Sequence, residues 1–326
     1  MKTLKQEIAD AVADDLTAIE AELEKNLDPY LDLVRQVASH ILFAGGKRIR
    51  PLLTILCARL CGYRGEEAVR LGIVFEYLHA ATLLHDDVVD GSGTRRGNPA
   101  AHTLFGYQTT VLAGDYLFAR GCSLATQSGQ LPVIQTITDV AAVMSQGEIQ
   151  QLQNHGNIHL SEDQYLEVIR NKTAMLISAS CRVGGLVADA DEDKVEALAG
   201  FGMDLGMAFQ MVDDLLDYTA DPRVTGKPLG ADLREGKLTL PLIHALDRAS
   251  NPDRFRMAKI IGSGHCSESD FSLILSRIRA AGGLAYTRQK AKKHLESAKK
   301  KLSAFESGPE RDILLRLADY ILERQS

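Results

Sequence analysis

Residues 201–217, FGMDLGMAFQMVDDLLD, combine a helical repeat of apolar side chains with a terminal cluster of acids. The apolar positions recur three or four residues apart, at Phe201, Leu205, Ala208, Val212, Leu215 and Leu216. This period places them on one face of an α-helix, with three aspartates towards its C-terminal end. The stretch therefore predicts a long helix that packs by one face and ends in carboxylates.

Helices of this kind account for most of the chain. Prolines are few, nine in all, and none lies between Pro132 and Pro222. Strand-like alternation is scarce, so we predict an all-α fold with helices near residues 3–26, 29–43, 51–61, 66–90, 107–128, 131–154, 161–187, 193–219, 238–249, 252–262, 268–281, 285–305 and 309–324. Mostly short connections predict a single domain over 1–326. Two longer irregular segments, 91–106 and 220–237, each follow an acidic cluster.

Composition and charge define the broad class of protein. The 326 residues carry a net charge of −6, with 45% hydrophobic and 25% charged residues, which is typical of a soluble globular protein. This mildly acidic balance gives no reason to expect nucleic acid as a partner. Five cysteines without CxxC or Cys/His spacing indicate thiols in a reducing cytosol. Residues 1–15 lack the pattern of an export signal, so we expect a cytoplasmic protein.

The acidic motif DDxxD occurs twice. Its copies supply Asp86, Asp87 and Asp90 in LLHDDVVD (83–90), and Asp213, Asp214 and Asp217 in QMVDDLLD (210–217). Each copy crowds three carboxylates at a helix C-terminus, where like charges and the helix dipole disfavour them. A solvated face explains many acidic clusters, but two copies after two apolar helices favour a metal site. All-oxygen ligands suit Mg²⁺ together with substrate phosphates, so we predict a diphosphate or triphosphate ligand.

Basic residues accompany glycines in the irregular segments, as a phosphate ligand would require. They are Lys47, Arg48 and Arg50 in AGGKRIRP, Arg95 and Arg96 in GTRRG, Lys172, Lys227 in TGKPLG and Lys237 in REGKLTLP. Arginine forks and lysine point charges bind diphosphates, although any one of these side chains alone is typical of a solvated surface. Walker A, GxGxxG and GxSxG patterns are missing from the sequence, which disfavours nucleotide hydrolysis, dinucleotide redox chemistry and serine esterase activity.

Together these motifs resemble those of the trans-isoprenyl (polyprenyl) diphosphate synthases, most closely the bacterial long-chain octaprenyl diphosphate synthases. The segments that carry the resemblance are GGKRIRP, LLHDDVVDGSGTRRG, GDYLF, GEIQQ, NKTA, GMAFQMVDDLLDYTAD and GKPLGADLREGKLTLPL. The resemblance implies an isoprenoid-synthase-type helical bundle around a deep central cavity, usually as a homodimer. It also implies a prenyltransferase that needs Mg²⁺, with about three ions per active site once substrate is bound.

The resemblance assigns roles residue by residue. The metal ligands would be Asp86, Asp87, Asp90, Asp213, Asp214 and Asp217. Isopentenyl diphosphate would bind Lys47, Arg50, His79 and Arg96, and the allylic diphosphate would bind Arg95, Lys172, Thr173, Gln210, Lys227 and Lys237. The catalytic set would be Asp86, Asp87, Asp90, Lys172, Asp213 and Lys227. Taken alone, His79 is more typical of a hydrogen-bonded core histidine.

The implied reaction is a head-to-tail condensation of isopentenyl diphosphate with an allylic diphosphate, here expected to be farnesyl diphosphate. Cleavage of the allylic C–O bond leaves a diphosphate anion and a carbocation, and Mg²⁺ with basic side chains stabilises the anion. The isopentenyl double bond attacks the cation, and loss of a proton regenerates an allylic diphosphate one isoprene unit longer. In the family the departing diphosphate is thought to accept this proton, so no protein base is assigned.

The residues before the first acidic motif predict the product length. Four residues share the helix face that leads back from the motif, namely Phe75, Leu78, Ala81 and Thr82. In the family, bulky aromatics at the positions of Ala81 and Thr82 give short products, whereas small residues leave the path open. The helix back to Glu67 offers about 28 Å of depth, so a long product, octaprenyl by resemblance, is expected. Leu117 and Phe118 are candidates for the tunnel floor.

Other interpretations stay open. The chain could instead make farnesyl or geranylgeranyl diphosphate, or be a non-catalytic subunit of a heteromeric synthase, although such a subunit would be free to lose its acidic motifs. The basic run 288–301 predicts a solvated helix packed on the core, with peripheral contact with an anionic membrane as the alternative. Arg324, near the C-terminus, is assigned no substrate contact.

Overall fold

The structure is a computed structural model that describes residues 3–220, 229–263 and 265–324. Its helices are α1 (Leu4–Ala11), α2 (Ala13–Asn26), α3 (Asp32–Leu42), α4 (Ile49–Leu60), α5 (Glu67–Val89), α6 (Ala101–Phe105), α7 (Tyr107–Thr126), α8 (Leu131–Gln153), α9 (Glu162–Ile169), α10 (Met175–Val187), α11 (Glu192–Thr219), α12 (Ala231–Arg234), α13 (Leu240–Arg248), α14 (Asn251–Gly262), α15 (Glu268–Ala280), α16 (Gly283–Lys301) and α17 (Pro309–Glu323). Strands β1 (Thr94–Arg95) and β2 (Asn98–Pro99) form a short antiparallel hairpin. The predicted all-α class is confirmed.

Several predicted helices differ from the observed ones in their details. The predicted helix 3–26 is two helices that meet at Val12, where φ of −120° and ψ of 18° depart from helical geometry. The predicted helix 161–187 is interrupted by a π-helical turn at Arg170–Ala174. The segment 91–106 contains the hairpin and α6, and the described part of 220–237 contains α12. These elements are too short to leave an apolar period in the sequence.

The predicted starts of three helices are confirmed. Ser161 Oγ accepts a hydrogen bond from Gln164 N at 3.2 Å, and Gln164 Oε1 accepts one from Ser161 N at 2.9 Å, which forms the capping box of α9. Pro51 lies in the first turn of α4, where its missing N–H has no helical acceptor. The Asn-Pro pair at 251–252 begins α14.

Packing divides the chain into two compact units. The first comprises Met1–Ala141, Leu176–Gly202 and Lys301–Leu317, and the second comprises Ala142–Met175, Met203–Lys300 and Ala318–Ser326. Every boundary between the units falls within a helix, in α8, α10, α11, α16 and α17. Each unit carries one copy of the acidic motif, at 86–90 in the first and at 213–217 in the second.

Helix α5 is the centre of the first unit, where it packs along α7 and α4. Its Phe75 and Tyr77 side chains are fully buried. A Cβ at Gly114 of α7 would collide with the ring of His85, so this glycine permits the close approach of α7 to α5. Tyr77 Oη donates to the carbonyl oxygen of Leu23 at 2.8 Å and ties α2 to α5.

A polar cluster joins α9, α13 and α16 in the second unit. The His244 ring stacks on that of Tyr286 with centroids 4.0 Å apart, and Tyr286 Oη donates to Glu162 Oε2 at 2.7 Å. Lys290 Nζ lies 2.6 Å from Oε1 of Glu162. These contacts fix the start of α9, the helix that carries Tyr165.

The basic run of the sequence lies on α16. Its buried residues Ala291, Leu295 and Ala298 form the packed face of the helix. Lysines of this helix make ion pairs, among them Lys290 with Glu162, Lys292 with Glu296 and Lys299 with Asp319. Within residues 3–220, 229–263 and 265–324, no helix has the length and apolar character that a membrane span needs.

Candidate active site

The first acidic motif lies at the C-terminal end of α5. Asp86 and Asp90 are partly exposed, whereas Asp87 between them is fully buried. Arg95 of β1 donates from Nε to Asp87 Oδ1 at 2.8 Å and from Nη2 to the same oxygen. The other oxygen of Asp87, Oδ2, is buried and has no hydrogen-bond partner. The arginine therefore holds one oxygen of Asp87, and a further cation or donor would satisfy the other.

A tight hairpin presents Arg95 and Arg96 beside the end of α5. Because Arg95 pairs with Asn98, Arg96 and Gly97 form a two-residue turn. Both turn residues have positive φ, 52° at Arg96 and 80° at Gly97, as a type I′ turn requires. Glycine adopts this backbone freely, but an arginine pays about 1 kcal/mol or more for it. Strain of this kind is typical of functional positions.

Four arginines contribute positive charge at His79 of α5. Burial, followed by the charges of Arg50, Arg96, Arg95 and Arg48, holds the pKa of His79 well below its usual value. The imidazole is therefore neutral at physiological pH and can donate or accept a hydrogen bond without adding charge. Lys47 is exposed in the loop that precedes Arg48. The arrangement suits an anion with several oxygen atoms.

Glu76 is the buried carboxylate of this arginine cluster, and the sequence alone gave no reason to single it out. Arg48 Nη1 donates to Glu76 Oε1 at 3.1 Å, and Arg48 Nε donates to Glu20 Oε1 at 2.6 Å. Burial lowers the pKa of Arg50 and of Arg96, and the negative charge of Glu76 opposes this shift. The Arg48 guanidinium is thus hydrogen-bonded to protein carboxylates, and the negative charge of Glu76 partly balances the positive charges of Arg50 and Arg96.

The second acidic motif lies at the end of α11 and repeats the pattern of the first. The side chain of Asp213 is 53% exposed, Asp217 is partly exposed and Asp214 is buried. Tyr165 Oη donates to Asp214 Oδ2 at 2.5 Å, and Gln210 Nε2 donates to Asp214 Oδ1 at 2.8 Å. Protein donors therefore occupy both oxygens of the middle aspartate.

Burial raises the pKa of Asp214 to about 7. The hydrogen bonds from Tyr165 and Gln210 oppose this shift, and the charges of Asp213 and Asp217 add to it. A cation bound at the motif would favour the ionised form of these carboxylates.

Asp217 binds the start of α12. Its Oδ1 accepts from Ala231 N at 2.9 Å and its Oδ2 accepts from Asp232 N at 3.3 Å. Burial raises the pKa of Asp217 to about 6, and these two backbone bonds oppose the shift. Burial and then the charge of Asp217 raise the pKa of Asp232 well above its usual value. Asp232 is therefore a further carboxylate beside the motif that the sequence analysis missed.

The π-helical turn 170–174 carries two of the predicted diphosphate ligands. Thr173 Oγ1 donates to Gln210 Oε1 at 3.0 Å. Lys172 Nζ donates to Glu148 Oε1 at 2.5 Å and to Gln151 Oε1 at 2.7 Å. A turn of this type inside a helix is frequent at functional sites.

The remaining predicted lysines and Arg324 have different positions. Lys237 Nζ lies 2.8 Å from Glu235 Oε2, and Lys227 lies outside the described residues. The Arg324 guanidinium lies 4.4 Å from the ring centroid of Phe209, and its Nη2 is 3.4 Å from Asp213 Oδ1. Arg324, to which the sequence analysis assigned no substrate contact, thus lies against the first aspartate of the second motif.

Comparisons with known proteins identify the family. A family model described as Polyprenyl synthetase matches residues 31–278. The chain belongs to the polyprenyl synthetase family. It is 36% identical to the octaprenyl diphosphate synthase of Escherichia coli (strain K12) over 323 residues, 98% of each chain.

Solved structures of relatives share its fold. A decaprenyl diphosphate synthase from Rhodobacter capsulatus is 41% identical with a TM-score of 0.93, over 98% of this chain and 99% of that one. A polyprenyl synthase from Caulobacter crescentus CB15, complexed with calcium and isoprenyl diphosphate, is 35% identical with a TM-score of 0.94, over 99% of this chain and 98% of that one. The predicted isoprenoid-synthase fold and the predicted enzyme class, a prenyltransferase that elongates trans-prenyl diphosphates, are confirmed.

The carboxylates of this polyprenyl synthetase suit divalent cations, which the family uses to bind diphosphates. Asp87 Oδ2 is a buried oxygen without a donor, and Asp214 and Asp217 have raised pKa values. Within the described part of the chain, no group of three or more acidic, histidine or cysteine side chains is arranged to hold an ion by itself.

The predicted chain-length residues of the synthase lie in the first unit. Ala81 and Leu78 are buried, and Thr82 is partly exposed. Of the two candidates for the tunnel floor, Leu117 is fully buried and Phe118 is 40% exposed. Leu117 therefore fits a buried wall within this unit, whereas Phe118 lies at the surface of the single chain.

Proposed function

We propose that this synthase condenses isopentenyl diphosphate with farnesyl diphosphate and repeats the step to an all-trans product of about eight isoprene units. The observation that carries the proposal is the repeated motif geometry. In both copies the middle aspartate, Asp87 or Asp214, is buried and held by protein donors, while its neighbours are more exposed. Each motif has basic or hydrogen-bonding groups for a diphosphate in its own unit.

We assign isopentenyl diphosphate to Lys47, Arg50, His79 and Arg96 of the first unit. Support comes from the neutral imidazole of His79 among guanidinium groups, which together offer many N–H donors to phosphate oxygens. The strained backbone of Arg96 fits the same assignment, since strain is retained where position matters.

We assign the allylic diphosphate to Arg95, Lys172, Thr173, Gln210, Lys227 and Lys237, and about three Mg²⁺ ions to Asp86, Asp87, Asp90, Asp213, Asp214 and Asp217. Bound Mg²⁺ neutralises charge on the departing diphosphate. Arg95 is held by Asp87 and Lys172 by Glu148, so both cations are already oriented. Orientation before substrate binds reduces the reorganisation needed as the allylic C–O bond breaks.

The first unit supplies the support for a long product. Ala81, five positions before the motif, is small and buried, so no bulky side chain at this position would block a growing chain. The long products named for two relatives, octaprenyl in Escherichia coli and decaprenyl in Rhodobacter capsulatus, favour the same conclusion. Farnesyl or geranylgeranyl diphosphate as the end product is the alternative.

We further propose that residues 1–326 act as one synthase domain and that the chain is a homodimer. The family match at 31–278 includes residues of both compact units, which supports one domain. On α7, Tyr107, Leu112 and Phe118 are 55%, 65% and 40% exposed, and such exposed apolar side chains favour a protein interface. Light scattering on the purified chain tests the dimer, and a monomer mass would contradict it.

A comparison of primers tests the proposed function. The purified chain is incubated with Mg²⁺, radiolabelled isopentenyl diphosphate and one primer at a time, geranyl, farnesyl or geranylgeranyl diphosphate, at equal concentration. Incorporation that requires a primer and is fastest with farnesyl diphosphate is expected. No incorporation with any primer would favour the non-catalytic subunit of a heteromeric synthase.

A further inference from the structure

The sequence GEIQQ at 147–151 on α8 has no role in the assignments above. Its Glu148 and Gln151 lie three residues apart on one face of the helix, and both side chains accept hydrogen bonds from the ammonium group of Lys172. The donor–acceptor distances are 2.5 Å to Glu148 Oε1 and 2.7 Å to Gln151 Oε1. The Lys172 and Glu148 side chains are 24% and 27% exposed, so water screens this ion pair only in part.

The backbone is shaped to permit these contacts. A Cβ at Gly147 would lie 2.8 Å from Lys172 N and 2.9 Å from Asn171 Cβ, so any larger residue would push α8 away from the π-helical turn. The turn at Arg170–Ala174 carries Lys172. Three residues of α8 therefore act on Lys172. Gly147 lets the backbone of α8 approach the turn, and Glu148 and Gln151 accept hydrogen bonds from the ammonium group.

We propose that Glu148 and Gln151 are positioning residues that hold the Lys172 ammonium for the allylic diphosphate. The inference rests on the proposed function, in which Lys172 binds that diphosphate. A lysine has a flexible four-carbon stem and a compact charge, so it needs outside contacts to keep one orientation. Two acceptors on a rigid helix restrict the ammonium to one place before substrate arrives, which lowers the entropy lost on binding.

The two acceptors differ in what they contribute. Glu148 supplies both an acceptor and a negative charge, whereas Gln151 supplies an acceptor alone. Glu148→Gln keeps an oxygen of similar position and removes the charge, while Glu148→Ala removes both. If Glu148 positions Lys172, Glu148→Gln should retain most of the affinity for the allylic diphosphate that Glu148→Ala loses.

The test compares steady-state kinetics of Glu148→Ala, Glu148→Gln, Gln151→Ala and a control variant, Gln150→Ala. Gln150 is on the same helix, but its Nε2 donates to Glu167 Oε2 at 2.9 Å. We expect Glu148→Ala to raise KM for farnesyl diphosphate about tenfold or more while KM for isopentenyl diphosphate changes less than about threefold. Glu148→Gln should lie within about threefold of wild type, and Gln150→Ala should match wild type.

A double-mutant cycle with Lys172→Ala makes the test specific. If Glu148 acts through Lys172, Glu148→Ala should cost nothing further in the Lys172→Ala background. An equal loss in both backgrounds, or wild-type KM for farnesyl diphosphate in both Glu148→Ala and Gln151→Ala, would overturn the proposal. If Glu148→Ala does not fold, the same measurement is made on Gln151→Ala, for which a wild-type KM for farnesyl diphosphate would overturn the proposal. Glu148→Gln should still lie near wild type. Wild-type chain that incorporates no isopentenyl diphosphate would instead refute the proposed function, so the two failures are distinguishable.

Discussion

Arg95 donates two hydrogen bonds to one carboxylate oxygen of Asp87, and this contact gives the middle aspartate of the first motif a structural partner. Asp214, the middle aspartate of the second motif, accepts from Tyr165 and Gln210 in a comparable way. The three aspartates of a DDxxD motif are therefore unequal. The outer ones are the more exposed, and the middle one orients its protein neighbours.

Replacement of Asp87 tests this inequality. Asp87→Ala should lower activity about 10- to 100-fold through a higher KM for the allylic substrate, because Arg95 loses its orienting partner. It should also lower the free energy of unfolding by about 2 kcal/mol, since Arg95 is left partly buried without its acceptor. Urea unfolding and steady-state kinetics measure the two effects. Asp87→Asn keeps an acceptor oxygen, so it should lower both activity and stability less than Asp87→Ala does. Losses in Asp87→Asn as large as those in Asp87→Ala would contradict an orienting role.

Replacement of an outer aspartate should act through the metal. Asp213→Ala and Asp86→Ala should each lower kcat by orders of magnitude, because a divalent cation loses a ligand against the diphosphate. Their free energies of unfolding should stay near that of the wild type, since Asp213 is 53% exposed and Asp86 is partly exposed. Turnover is measured over a range of Mg²⁺ concentrations. Near-wild-type turnover in either variant would refute the metal role of that motif.

The acidic second motif predicts a dependence of stability on pH in the absence of metal. The pKa values of Asp214 and Asp217 are raised to about 7 and about 6 from an ordinary value of 3.8, mainly by burial. Between about pH 4 and pH 7 the folded chain therefore binds more protons at these groups than the unfolded chain, and their contribution to stability falls as pH rises.

Urea unfolding in the presence of a chelator measures this dependence. The wild type should lose more stability between pH 5 and pH 8 than Asp214→Asn, which cannot titrate at that position. Added Mg²⁺ should reduce the difference, because a bound cation favours the ionised carboxylates. Equal losses in the wild type and Asp214→Asn would show that Asp214 does not titrate in this range.

A bulky residue at position 81 should shorten the product. Ala81 is buried on α5, and Ala81→Phe or Ala81→Tyr would place an aromatic ring in the expected path of the growing chain. The product should fall to about farnesyl length, while the first condensation of geranyl diphosphate continues. Overpacking should cost about 1–3 kcal/mol of stability, which thermal unfolding checks. An unchanged long product would eliminate Ala81 as a determinant of chain length.

Much of the fold could be predicted because the signals are local. The apolar period and the sparse prolines of the sequence place most helices. The break at Val12 and the π-helical turn at Arg170–Ala174 were missed, since no local residue pattern demands them.

The charged motifs of the site could be predicted, but its supporting residues could not. Glu76 and Tyr165 are separated in sequence from Arg48 and Asp214 by 28 and 49 residues, so only the folded chain brings each pair together. Sequence likewise treats the three aspartates of a motif as equivalent. Their different burial follows from the partners that each one meets.

The most direct test of the account is the product of the purified chain. It is incubated with radiolabelled isopentenyl diphosphate, farnesyl diphosphate and Mg²⁺, and the products are dephosphorylated and separated by reversed-phase chromatography. We expect an alcohol well beyond geranylgeraniol, near eight isoprene units, that a chelator abolishes. Products that end at fifteen or twenty carbons would contradict the long-chain assignment.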